Sequence, residues 1–468
     1  MTRALVAGAY AILGGALAWT RLYGLDRSYW HDEIVTVADF VRAGPREILA
    51  GPYIPNNHEL FSLLAWMTSS VVGESEVALR LWSVLPFFAG VALVSAWVHV
   101  RVSPLSGVLV LFLATVSPLL LDLSRQARGY GLAFFAMSVL VVAALEAARS
   151  GRTWAIVAAC AAGIVGTGTL PIFGVAFVAT TAALLSEASL RRRVNVGLGA
   201  SVLAIATWYA PHVDNLVRSS RQEYGAHIAD RWFATAPIDQ ILIPAFAWTE
   251  GVAAIPSLVW IPVVISTLLL MASSPLLRDR ASAFVLVSGP IATIAALWVT
   301  DTRSAPRFVS FLLVSLFMLG ATGTASILER LTTRPAVLRT LIALTLLVSV
   351  TTVAGPKIAE IMKLPREAHK EAVAAIEAKG WGSTPVFAYA IRPRDLAFYL
   401  GRSPKAATRP EIASVVCSRL SPIVLVVQPF ALPPADFPCV ARPGAEHIRL
   451  EQYARGDRID VWFIPPAG

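Results

Sequence analysis

The chain has 468 residues, of which 56% are hydrophobic and only 15% charged, and it carries a net charge of +9. With a mean hydropathy of +0.65, that composition excludes an ordinary water-soluble domain and a disordered chain, and points to the bilayer. The positive balance does not point to nucleic acid, because the basic residues are scattered arginines beside apolar blocks, with no basic tail.

Apolar blocks of about 16 to 23 residues, long enough to cross a hydrocarbon core as helix, recur along the sequence. The first, residues 4–20, reads as a retained helix although Ala16-Leu17-Ala18 resembles a signal-peptide cleavage site. Further spans are expected over 77–98, 104–121, 131–147, 154–170, 171–186, 194–210, 252–272, 281–299, 307–328 and 337–355. The chain is therefore expected to be an α-helical polytopic membrane protein with about eleven transmembrane helices. The block from Leu60 to Val72 is too short to cross and suits an interfacial helix.

Arginine placement supports that choice. With Leu60 to Val72 left out, Arg101, Arg149, Arg152, Arg191, Arg192, Arg193, Arg278, Arg280, Arg330, Arg334 and Arg339 all fall on the cytoplasmic side. Counting it as a span would export the arginine triplet. The expected topology puts the N-terminus in the cytoplasm, and it puts loops 21–76, 122–130, 211–251 and 301–307 outside with everything after Gly355. The domains are then a transmembrane region, 1–355, whose outer loop 21–76 holds interfacial helices, and an extracytoplasmic tail, 356–468, on a plasma (inner) membrane protein.

The tail has ordinary polarity and reads as a small α/β domain. A helix is expected over Arg366 to Lys379, ending at Gly380, and strands over Pro385 to Ala390, Ile423 to Gln428 and Ile459 to Ile464. Cys417 and Cys439 are either a disulfide, which an exported location would permit, or two buried thiols. Cys160 lies inside an apolar block, the lone His227 and His447 have no partners at metal spacing, and no Cys/His zinc pattern is present.

Because charge is costly near a bilayer, polar clusters at the outer ends of spans are the first candidates for function. Four stand out. In Ser28-Tyr29-Trp30-His31-Asp32-Glu33, adjacent carboxylates follow an aromatic pair; they suit a general base for a sugar hydroxyl, or they open a helix running through Phe40. In Pro55-Asn56-Asn57-His58-Glu59, His58 and Glu59 can bind sugar or phosphate, or Asn57 caps a helix. In Arg125-Gln126-Ala127-Arg128-Gly129-Tyr130, two outer arginines suit a phosphate anion, or they snorkel to lipid headgroups. Asp301-Thr302-Arg303-Ser304-Ala305-Pro306-Arg307 admits the same two readings.

The order of these clusters, with Gly73-Glu74-Ser75-Glu76-Val77-Ala78-Leu79-Arg80-Leu81 between the second and third, resembles the bacterial glycosyltransferases related to protein O-mannosyltransferases and to the lipid A aminoarabinose transferase, of the GT-C superfamily. The likeness covers roughly the first 190 residues. It implies a GT-C type membrane fold and inverting transfer of a sugar, mannose or another pyranose or pentose, from a polyprenyl-phosphate donor to a lipid, glycan or protein acceptor on the outer face. It also implies Asp32 as base beside Glu33, with Arg125 and Arg128 on the phosphate and His58 and Glu59 facing substrate; His31, Tyr130, Arg303 and Arg307 are substrate-binding candidates from their polar clusters. Glu59 stands where many relatives have proline, and the lysine of the aminoarabinose-transferase version is missing.

No cofactor is required for such a transfer, since arginines can stabilise the departing phosphate; a carboxylate-bound divalent metal is compatible with it. The competing classes are a lipid or glycan transporter or flippase, and a non-catalytic cell-envelope assembly subunit. Against a carrier, the ionisable residues gather on one face and not at mid-membrane.

Overall fold

The structure is a computed structural model that describes residues 3–51, 54, 57–214, 267–299, 306–331, 354–406, 408, 411, 417–419, 421–427, 437–452 and 458–466. The chain divides into two compact units, Met1–Tyr23 with Phe40–Ala359, and Gly24–Asp39 with Glu360–Gly468.

Among the described residues of the first unit, six helices are long and apolar enough to cross a membrane: Arg3–Leu22, Glu76–Arg101, Tyr130–Ser150, Arg191–His212, Arg280–Leu297 and Arg307–Arg330. The helices Pro104–Val116 and Pro118–Ser124, bent by 69° at their junction, form a seventh candidate if they count as one span. The chain is a multi-pass membrane protein. Thr153–Thr169 and Phe173–Ser186 are shorter apolar helices, as is Glu59–Val72. Nearly all of the expected spans 252–272 and 337–355 lies outside the described residues.

Serines start several of these helices by accepting a main-chain N–H. Ser75 Oγ takes Ala78 N–H at 3.1 Å, Ser103 Oγ takes Ser106 N–H at 3.2 Å, and Ser117 Oγ takes Leu120 N–H at 3.3 Å. The last cap marks a break inside the span expected over 104–121. Pro118 has no N–H to give Ala114, so the first helix ends at Val116 and a second begins. The carbonyls left over are taken by buried Arg21, which donates to Ala114 O at 2.6 Å and Thr115 O at 3.0 Å.

Tyr130–Ser150 is the centre of this unit. Its apolar window is 83% buried, against 17% for Arg3–Leu22 and Arg191–His212, which present aliphatic side chains outward. Glu76–Arg101 and Thr153–Thr169 pack on it, and Gly131 N–H donates to Ser83 Oγ at 3.1 Å. At its far end Gly151, with φ +64°, supplies the left-handed residue that stops the helix.

The second unit is α/β. Strands β1 (Val386–Tyr389), β2 (Lys405–Ala406), β3 (Ile423–Val427), β4 (Glu446–Glu451) and β5 (Arg458–Ile464) form one sheet in the order β2-β1-β3-β5-β4. β1 runs parallel to β2 and β3, whereas β5 is antiparallel to β3 and β4. Side-chain alternation splits the core between its faces. Val386, Ala388, Val424 and Val426 pack with Ala372, Ile376 and Trp381, while Phe387, Ile423 and Leu425 pack with Cys417 and Cys439. The two cysteines are joined in a disulfide.

The tail helix begins at His369 and ends at Ala378, three residues later than the expected start. The reason is local: Glu367 Oε2 is held by His31 N–H at 2.9 Å and by His369 Nε2 at 3.0 Å, so Arg366 to Ala368 run outside the helix. Gly380 follows with φ +72°. The helix expected through Phe40 is α-helical only over His31–Val35 and continues as a π-helix over Thr36–Val41.

Candidate functional site

In the first unit the structure brings together His58, Arg128, Gly129 and Tyr130. Asn57, a helix cap in one of the two readings of its cluster, instead reaches away, donating to Ile48 O at 2.9 Å and accepting from Ser62 Oγ at 3.1 Å, while His58 occupies the N-cap position of Glu59–Val72. The His58 ring is fully buried. Its Nδ1 faces Gly129 N–H at 2.9 Å, its Nε2 faces Arg128 Nη2 at 2.8 Å, and its edge meets the Tyr130 ring at a centroid distance of 4.9 Å. The Arg128 guanidinium lies 5.4 Å from the centre of the same tyrosine ring. Glycine at 129 allows this approach, since a Cβ there would stand 3.0 Å from His58 Nδ1.

Burial, then the guanidinium groups of Arg128 and Arg307, hold His58 well below the usual imidazole range, so the ring is neutral at pH 7. A neutral imidazole has one N–H and one acceptor nitrogen, whereas Gly129 N–H and Arg128 are both donors. In either tautomer one of the two contacts sets donor against donor. The ring therefore meets the Arg128 guanidinium and the Gly129 N–H unequally, and a forked guanidinium is the side chain best shaped for an anionic oxygen.

Arg307 stacks its guanidinium 5.4 Å from the Phe308 ring, which lies 6.5 Å from Tyr130. Arg303 lies outside the described residues. Arg125 caps the Pro118–Ser124 helix and donates to Tyr23 O at 2.5 Å. Glu59 turns away from His58 toward the end of Arg191–His212. Its Oε2 accepts the Trp208 indole N–H, and its Oε1 lies 3.4 Å from His212 Nε2. Burial pushes the Glu59 carboxyl up to about 7, opposed by the Trp208 bond. Trp208 and His212 escaped sequence reading, because nothing local marks residues about 150 positions away as partners of Glu59.

His31, Asp32 and Glu33 belong to the second unit, on the helix His31–Val35. Asp32 and Glu33 are both buried. Glu33 Oε2 accepts Trp30 N–H at 3.0 Å and so closes the start of its own helix. The segment is tied to the tail of the same unit. Tyr29 N–H donates to the Tyr399 hydroxyl at 2.6 Å, Lys370 N–H to Ser28 Oγ at 3.1 Å, and Arg27 to the carbonyls of Ile361, Met362 and Leu364 at 2.5 to 3.1 Å. The Arg366 guanidinium covers the Trp30 ring at 3.9 Å.

At the level of fold, the resemblance carried by the N-terminal motifs is borne out by similarity to solved structures. The chain is similar to ArnT from Cupriavidus metallidurans, both in the apo state and bound to undecaprenyl phosphate, with TM-score 0.51 and 14% identity. The apo comparison covers 98% of this chain and 97% of that one. It is also similar to the Archaeoglobus fulgidus oligosaccharyltransferase solved with zinc and sulfate, with TM-score 0.51 and 10% identity over 89% of this chain and 67% of that one. No protein-family model matches the chain, and no curated protein matches it.

Proposed function

We propose that the chain is an inverting glycosyltransferase that moves a sugar from a polyprenyl-phosphate donor to a lipid, glycan or protein acceptor on the outer face of the membrane. The observation that carries this reading is the buried cluster in which the forked Arg128 guanidinium and the Gly129 N–H converge on His58, a cation of the geometry that suits a phosphate. It is supported by the similar fold of ArnT, solved with undecaprenyl phosphate bound.

In this reading Arg128, with Arg125 and Arg307, stabilises charge on the departing phosphate. Asp32 takes the proton of the acceptor hydroxyl; Glu33, committed to the start of its own helix, is its neighbour and not the base. His31, His58, Glu59 and Tyr130 face the substrates. The N-terminus lies in the cytoplasm and residues 356–468 lie outside, where an oxidising environment maintains Cys417–Cys439.

The test is incubation of the purified chain with a panel of polyprenyl-phosphate sugars, followed by detection of transferred sugar or of slow donor hydrolysis. Release of polyprenyl phosphate, dependent on Asp32, is the expected result. Movement of intact donor across vesicle membranes with no cleavage of any panel member would make the chain a flippase instead.

A further inference from the structure

The second unit holds a cluster that sugar transfer does not use. Glu367, His369 and Asp395 are each 1% exposed, and one ligand-type atom from each lies within 4.8 Å of the other two. They converge from separate positions: Glu367 from the stretch before the His369–Ala378 helix, His369 from its first residue, and Asp395 from the first turn of Pro393–Leu400. These two helices pack against each other. His369 Nε2 lies 3.0 Å from Glu367 Oε2 and 3.7 Å from Asp395 Oδ2. The other ring nitrogen of His369, Nδ1, is buried with no hydrogen-bond partner among the described residues.

The spacing has a chemical meaning. Ligand atoms about 2.0 to 2.1 Å from a tetrahedral zinc ion stand roughly 3.3 Å from one another, and the distances from His369 bracket that value. A single proton on Nε2 can serve only one of the two carboxylates it faces, whereas a cation between the three groups serves both. One nitrogen and two oxygens suit a borderline divalent ion; calcium needs six or more oxygens and magnesium keeps its waters. Behind the cluster, His31 Nδ1 lies 2.8 Å and 3.1 Å from the two Asp395 oxygens, and His31 N–H donates to Glu367. That is the supporting bond by which ligating carboxylates are usually oriented.

We propose that Glu367, His369 and Asp395 bind one zinc-class divalent cation, with His31 as a positioning residue for Asp395. Three side-chain ligands leave a fourth position open. Because His31 directly precedes Asp32, the bound ion clamps the Gly24–Asp39 segment to the two tail helices of its own unit.

The experiment uses the full chain in detergent, stripped with a chelator, equilibrated with Zn²⁺ and passed into metal-free buffer before elemental analysis. About one zinc per chain is expected, together with a rise in unfolding temperature that chelator reverses. His369→Gln and Asp395→Asn should lose most of the zinc and the temperature rise. His447→Gln should keep both, since His447 pairs with Asp460 on β4 and β5. Zinc content equal to the unmutated chain in both variants would overturn the site. Should the variants not fold, competition between the unmutated chain and a chromophoric zinc chelator decides: no zinc withdrawn from the chelator overturns it equally. The readout is metal content, so its failure leaves the transferase reading untouched, and failure of transfer leaves the site untouched.

Discussion

Arg128 Nη2 lies 2.8 Å from His58 Nε2, across the ring from the Gly129 N–H that meets Nδ1 at 2.9 Å. A neutral imidazole accepts on one side only, so the two contacts differ in kind, and the forked guanidinium is the group best matched to an anion of fixed shape.

Arg128→Lys is therefore expected to weaken binding of undecaprenyl phosphate by about tenfold or more, because the charge stays and the fork is lost. Titration of the lipid phosphate against unmutated and variant chains in the same detergent measures this. Equal affinities would leave packing against His58 and Tyr130 as the reason for an arginine there.

Asp32→Asn should lower turnover by about 10² to 10⁴ while lipid-phosphate affinity changes little, since Asn keeps the volume but cannot take the proton. Glu33→Gln should retain most turnover and cost about 1 kcal/mol of stability through a weakened bond to Trp30 N–H. The reverse pattern, with Glu33→Gln inactive and Asp32→Asn active, would move the base by one residue.

Glu59 gives a pH signature. Its folded-state carboxyl is raised to about 7 from an ordinary 4.5, so the folded chain holds a proton that the unfolded chain releases. This contribution to stability is fully present below the unfolded value and is lost as pH rises toward 7 and beyond. Relative to Glu59→Gln, the unmutated chain should lose unfolding temperature steadily between pH 5 and pH 8. A constant difference between the two proteins across that range would show that Glu59 does not change charge there.

A cysteine introduced for Glu74 tests the topology. The residue is exposed and its pair with Arg42 lies at the surface, so the substitution costs little, whereas neighbouring Ser75 caps a helix. Labelling by a membrane-impermeant reagent applied outside is expected. Labelling from the cytoplasmic side alone would make Glu59–Val72 a span and move the Arg125 to Tyr130 loop inside.

Much of the helical layout was legible because hydropathy and Ser-Pro starts are local signals: Ser103-Pro104 opens a helix in sequence as in structure. Pro118 was equally visible, yet an apolar run continued through it, and hydropathy does not register a missing N–H. In the tail, short β-rich apolar runs from Val386 to Tyr389 and from Ile423 to Val427 announced strands, while the exposed edge strand Glu446–Glu451 carried too few apolar residues to do so. Clusters contiguous in sequence, such as Arg128 to Tyr130, were found. Contacts such as Glu59 with Trp208, or His31 with Asp395, join residues 149 and 364 positions apart and leave no local trace.

That last separation also sets an order of assembly. Residues 24–39 are synthesised before their partners, since His31 binds Glu367 and Asp395, 336 and 364 residues later. At about 5 to 20 residues per second, the segment waits roughly 20 to 70 seconds before its partners exist. A chain cut short before Asp395 would carry every membrane helix described here and still lack the groups that seat the neighbour of Asp32. The second unit is thus completed late: its Gly24–Asp39 segment can settle only after Asp395 has been made.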